Sequence, residues 1–123
     1  MCIRDRYTVV LGASGNPERY SFLAVNKLKK FGHAVTAIGR RPNQINDSPI
    51  ITGTPLLSDV DTVTLYLNPA NQKPYYDYIL SLKPHRIIFN PGTENPELEE
   101  LAHKKGIKTL EACTLVLLST GAY

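Results

Sequence analysis

Gly12, Ala13, Ser14, Gly15 and Asn16 follow directly on the apolar run Val9-Val10-Leu11, and a helical pattern begins just beyond Pro17. A strand that turns at once into a helix sets backbone N–H groups at the helix's positive end, where phosphate binds well. The same residues also suit a plain strand-to-helix turn, because Gly and Ser favour such turns for conformational reasons alone. The dinucleotide fingerprint asks for Gly at its first, third and sixth places. Here those places hold Gly12, Ser14 and Pro17, so only the first matches. Phosphate cradle and simple turn both remain open from this loop alone.

A second group is Gly39-Arg40-Arg41-Pro42, after the second expected strand. In an NAD site this region carries an acidic residue for the ribose hydroxyls. Two guanidinium charges suit a phosphate on the ribose instead, either the 2′-phosphate of NADP or the 3′-phosphate of coenzyme A. A solvated basic turn is the alternative. Cys113 stands at the expected start of the last helix, where a thiol's pKa can fall, although buried cysteine also serves simply as packing. Tyr20, beside the Gly12 loop, is placed to cover a ligand.

Other chemistries find little support. His33, His85 and His103 are scattered and make no zinc motif, and Cys2 and Cys113 lie too far apart for a metal spacing or a redox pair. No catalytic residue and no metal ligand is expected. The net charge of +3 suits a small anionic ligand, and the basic residues form no stripe for nucleic acid. No apolar run is long enough to cross a bilayer. Met1 to Arg6 lacks the apolar core of a signal peptide, so a cytoplasmic protein of bacterial type is expected. Those six residues read as an extension outside a single domain spanning 7–123.

The elements that must position these groups alternate. Strands are expected at Tyr7–Leu11, Ala34–Ile38, Asp61–Leu67, Arg86–Phe89 and Ile107–Leu110. Ile50-Ile51 reads as no more than a short extended piece. Helices are expected from Glu18, with Ala24, Val25, Leu28 and Phe31 inward, from Gln72 to Leu82, after Asn95, and from Cys113 to Ser119. Asn95, Pro96 and the glutamates that follow make the clearest helix start in the chain. Alternation of this kind predicts an α/β fold: a parallel five-stranded sheet in the order 3-2-1-4-5, with helices on both faces. Ligands of such sheets bind beyond the carboxyl ends of the strands, where the strand order reverses. The residues gathered there are small, amide-bearing or basic. The nearest carboxylates are Glu94 and Glu111, so no general acid or base is evident.

Taken together, Val10-Leu11-Gly12-Ala13-Ser14 with Asn16-Pro17 and Tyr20-Ser21, Asp61-Thr62-Val63, Phe89-Asn90-Pro91-Gly92-Thr93-Glu94-Asn95 and Glu111-Ala112-Cys113-Thr114 resemble the small single-domain CoA-binding proteins of bacteria and archaea. These are related to the CoA-binding domain of succinyl-CoA ligase alpha subunits. The resemblance runs from about Tyr7 to the C-terminus. It implies a Rossmann-like domain that binds coenzyme A or an acyl-CoA, without catalysis of its own. By position, Gly12, Ala13 and Ser14 would hold the pyrophosphate. Gly39, Arg40, Arg41 and Pro42 would receive the adenosine end, where relatives often carry an Asn-Pro-Lys-like sequence. Asn68, Pro69, Asn90, Pro91 and Gly92 would line the remaining wall. In the expected strand order the fifth strand lies beside the fourth, so Cys113 should emerge next to Asn90-Pro91-Gly92, within reach of the thiol arm. No ligase activity is implied, since residues 1–123 hold no second domain with a phosphorylated histidine. An NADP-binding enzyme or enzyme subunit is the alternative function. A homodimer is also open, because small domains of this kind gain by covering apolar surface.

Overall fold

Thr8, Val9, Val10 and Leu11 are all buried, as a strand covered on both faces must be. In the structure, a computed structural model that describes residues 7–16, 19–40, 43–45 and 48–123, this run is β1 (Thr8–Leu11). It lies at the centre of a seven-stranded sheet with β2 (Val35–Ile38), β3 (Asn43–Ile45), β4 (Ser48–Ile51), β5 (Thr62–Leu65), β6 (Arg86–Phe89) and β7 (Lys108–Glu111). The order is β3-β4-β2-β1-β5-β6-β7. Every pairing is parallel except that of β3 with β4.

Side chains alternate along β1 and feed two cores. Val9 and Leu11 join Ile79 of α3 (Tyr76–Ser81) and Leu98 and Ala102 of α4 (Pro96–Lys104). Val10 joins Val25 and Leu28 of α1 (Tyr20–Lys30) and Leu118 of α5 (Thr114–Ser119). A short helix, α2 (Pro69–Gln72), and a 3-10 turn at Lys73–Tyr75 complete the described elements. No helix among the described residues is long and apolar enough to cross a membrane.

The α/β class, the parallel sheet and the helices on both faces are as expected, but the strand count and order differ. Ile50-Ile51 belongs to a full strand that pairs with Ala37-Ile38, and β3 adds an antiparallel edge beyond it. The strand from Asp61 therefore cannot lie outside β2. It crosses back to the other side of β1, with Thr8 opposite Thr62 and Leu11 opposite Leu65. The order reverses between β1 and β5 rather than between the first and fourth expected strands.

Two helices also differ. The expected helix from Gln72 to Leu82 is broken at Lys73–Tyr75, where Pro74 has no N–H for a regular turn. Phe31 caps the end of α1 and is 44% exposed, so it stands outside the core that Ala24, Val25 and Leu28 enter. The expected helix start at Glu18 and the extension 1–6 lie outside the described residues.

Candidate functional site

The reversal point is built by close backbone packing. Gly12 has φ +95°, a left-handed conformation that favours glycine, and a Cβ there would lie 2.9 Å from the carbonyl carbon of Tyr66. A Cβ on Gly39 would lie 2.4 Å from the Ala13 carbonyl oxygen. The ends of β1, β2 and β5 thus converge under one loop. The N–H groups of Gly12 and Ala13 both donate to Ile38 O, at 2.8 and 2.9 Å, and Tyr66 N–H donates to Leu11 O at 2.8 Å.

Above this base, Asn16 N–H donates to the Ser14 hydroxyl at 3.1 Å. Among the described residues, the N–H groups of Ser14 and Gly15 donate to no protein acceptor. The residue capping α1, Arg19, supplies no side-chain cap, and no acidic residue occupies the first turn. Uncommitted N–H groups beside a helix start with no side-chain cap among the described residues have the chemistry that suits an anion.

The loop opens on a cleft of about 1050 Å³. Gly12, Ala13, Ser14, Asn16, Tyr20, Arg40, Asn68, Pro91 and Gly92, all singled out in the sequence, line it together. So do Gly15, Ser21 and Thr93, which belong to the motifs read in the sequence, and Arg19, Asn43, Tyr66 and Leu67, which the sequence did not point to. Among the described lining residues, Arg19 and Arg40 carry the charge, and none is acidic or a histidine. Asn43 lies over Gly15, where a Cβ would fall within 2.3 Å of its side-chain nitrogen. Tyr20 is 70% exposed, a free aromatic face at the rim.

Four other predicted residues are placed differently. Gly39 is buried beneath the loop, and Pro69 begins α2 outside the cleft lining. Asn90 is buried, with its amide turned into the framework. Cys113 is half-buried before α5 and likewise does not line the cleft. Arg41 and Pro42 lie outside the described residues.

The floor is a buried polar lattice. Asn90 Nδ2 donates to Thr64 Oγ1 at 2.6 Å and to Leu65 O at 2.8 Å, while its Oδ1 accepts from Thr114 N–H at 2.8 Å. Thr64 and Thr114 share a hydroxyl bond of 2.7 Å. The Tyr66 phenol packs beside this pair, and burial pushes its ionisation well above the ordinary tyrosine range. It stays a neutral group at physiological pH.

A larger groove, about 1290 Å³, lies at the opposite end of the sheet, where Lys83, His85, His103, Lys105 and Lys108 are among its lining residues. His85 and His103 thus face away from the Gly12 loop, as their positions before a strand and late in a helix predict. That groove has no strand-to-helix loop to present N–H groups, so size does not decide between the two. The described residues contain no cluster of potential metal ligands.

A family model described as "CoA binding domain" matches residues 6–119, the span that contains both the loop and the cleft walls. The chain belongs to that CoA-binding domain family. An uncharacterized protein of known crystal structure is 49% identical to it, with TM-score 0.94 over 96% of this chain and 98% of the other. A protein from Thermus thermophilus shares 20% identity and TM-score 0.83, covering 96% of this chain and 90% of its own. A hypothetical protein from Pyrococcus horikoshii shares 17% identity and TM-score 0.83, covering 92% and 81%. The last two likenesses are of fold. No curated protein matches the chain.

Proposed function

We propose that this CoA-binding domain takes coenzyme A or an acyl-CoA in the cleft above β1 and β5, and holds it without transforming it. The observation that carries this reading is the Ser14-Gly15 turn. Its two N–H groups are uncommitted among the described residues and open into a cleft whose described charged lining residues are cationic. That chemistry suits a pyrophosphate, and a small-residue loop lets the backbone approach it. Arg40 is exposed and lines the cleft, and its guanidinium suits the ribose 3′-phosphate. The wall from Tyr66 to Asn68 and from Pro91 to Thr93 then takes the pantetheine arm. Among the described residues no carboxylate or imidazole lines the cleft, which supports binding without general acid–base chemistry.

Titration calorimetry with CoA, dephospho-CoA, NADP and NAD tests the reading. CoA should bind most tightly, and dephospho-CoA should lose about tenfold or more with the missing phosphate. Tight NADP binding without affinity for CoA would overturn it in favour of a nicotinamide site. Equal affinity for CoA and dephospho-CoA would remove the role given to Arg40.

A further inference from the structure

The two strand ends that form the pantetheine wall are not neighbours in sequence. A single buried side chain spans them. Gln72, with no exposed surface, donates from Nε2 to Leu67 O at 2.7 Å and to Thr93 O at 2.8 Å. Its Oε1 accepts from Asn95 Nδ2 at 2.9 Å. Asn95 Nδ2 also reaches the Tyr76 hydroxyl at 2.7 Å, and Asn95 Oδ1 caps α4 through the N–H groups of Glu97 and Leu98. Gln72 itself sits at the end of α2, whose start is capped by Asn68: Asn71 N–H donates to Asn68 Oδ1 at 2.9 Å.

The geometry follows from the chemistry of one amide. Only a primary amide offers two donors and an acceptor on one short planar head. Both donors go to main-chain carbonyls on opposite sides of the cleft wall, so one nitrogen sets the spacing between them. It also commits the Leu67 and Thr93 carbonyls to the interior. A glutamate would face both carbonyls with oxygen, and a methionine of similar shape would leave both carbonyls without this donor and Asn95 Nδ2 with Tyr76 alone.

We propose that Gln72 is the positioning residue of the cleft. It fixes the separation of the Leu67-Asn68 and Gly92-Thr93 walls so that they fit the pantetheine arm. Gln72 touches no ligand and acts through those walls. The proposal rests on the coenzyme A reading above, and it predicts an effect that depends on which half of the ligand is present. The Ser14-Gly15 loop and Arg40 lie on other elements and make none of the Gln72 bonds.

The experiment compares CoA with adenosine 3′,5′-bisphosphate, which lacks the pantetheine arm, by calorimetry on the full chain. Gln72→Met should weaken CoA about tenfold and leave the bisphosphate within about twofold. Asn95→Asp keeps the α4 cap but removes the donor to Gln72, and should weaken CoA selectively by about threefold. This second variant decides the matter if Gln72→Met does not fold. Equal loss for both ligands would make Gln72 a general stabiliser and overturn the proposal, as would unchanged CoA affinity in a folded variant. Wild-type protein that binds the bisphosphate as tightly as CoA would also overturn it, because no arm is then held. If wild-type protein binds neither ligand, the coenzyme A reading itself falls.

Discussion

Replacing Asn90 by alanine tests whether the amide lattice under the cleft is a structural necessity. Asn90 is 2% exposed and makes three hydrogen bonds to two different elements. Truncation removes all three at once. The Thr64 hydroxyl keeps its bond to Thr114, so the group left worst off is the Thr114 N–H at the start of α5. An unsatisfied buried donor costs ~1–3 kcal/mol, and the small void adds to it, giving about 3 kcal/mol in all. For a domain of this size that corresponds to a fall in Tm of about 10 °C. Thermal and urea unfolding followed by circular dichroism read it directly.

Asn90→Asp adds a sign. The carboxylate still accepts from Thr114 N–H but faces the Leu65 carbonyl with oxygen. Burial should raise its folded pKa above the unfolded value of about 3.9. The deficit against wild type is then small below about pH 4 and grows as pH rises through the raised pKa. A wild-type melting temperature for Asn90→Ala would refute this reasoning. So would an Asn90→Asp deficit that shrinks between pH 4 and pH 7.

Gly39→Ala should drive a Cβ into the Ala13 carbonyl, at 2.4 Å, and shift the loop above it. A destabilisation of ~1–3 kcal/mol in urea unfolding, with weaker CoA binding in calorimetry, is expected; unchanged values in both would count against the close packing of β1 and β2. Burial raises the pKa of Tyr66 and of Tyr123, so both stay protonated in the fold when exposed tyrosines ionise. Their contribution is complete below the unfolded value of about 10 and is lost as pH rises further, so stability should fall above about pH 10. Phenolate absorbance should then show the last tyrosines ionising only with unfolding, whereas simultaneous titration of all seven in an intact fold would contradict it.

The parts of the fold legible in the sequence are those where burial on both faces leaves a continuous signal. Val9-Val10-Leu11 and Arg86–Phe89 read as strands because helices cover them above and below. Asn95-Pro96 reads as a helix start because the cap and the proline act locally, and Asn95 Oδ1 does accept from Glu97 and Leu98. Asn43–Ile51 is different. Only Ile45 and Ile50 are buried among its described residues, and Pro49 interrupts the pattern. Its strands exist through pairing with β2 and with each other, which no local periodicity announces. Missing them misplaced the Asp61 strand and hid Asn43 from the site.

The cleft was legible to the same extent. Residues directly after a strand can be assigned to an edge, which brings Gly12–Asn16, Arg40, Asn68 and Pro91-Gly92 together. The direction of a side chain at that edge is a tertiary matter. Asn68 and Asn90 both precede proline at a strand end, yet Asn68 caps α2 in the open and Asn90 is spent on the sheet. Tyr66, Leu67 and Thr93 reach the cleft because β5 adjoins β1, which follows only from the corrected strand order.

The most direct test of the account is a map of backbone amide chemical shifts in the intact chain as CoA is added. The largest changes should fall at Gly12–Asn16, Tyr66–Asn68 and Gly92-Thr93, with Ser14 and Gly15 foremost because their N–H groups gain an acceptor. Changes centred instead on the groove at the other end of the sheet, at Lys83, His85, Lys105 and Lys108, would contradict it.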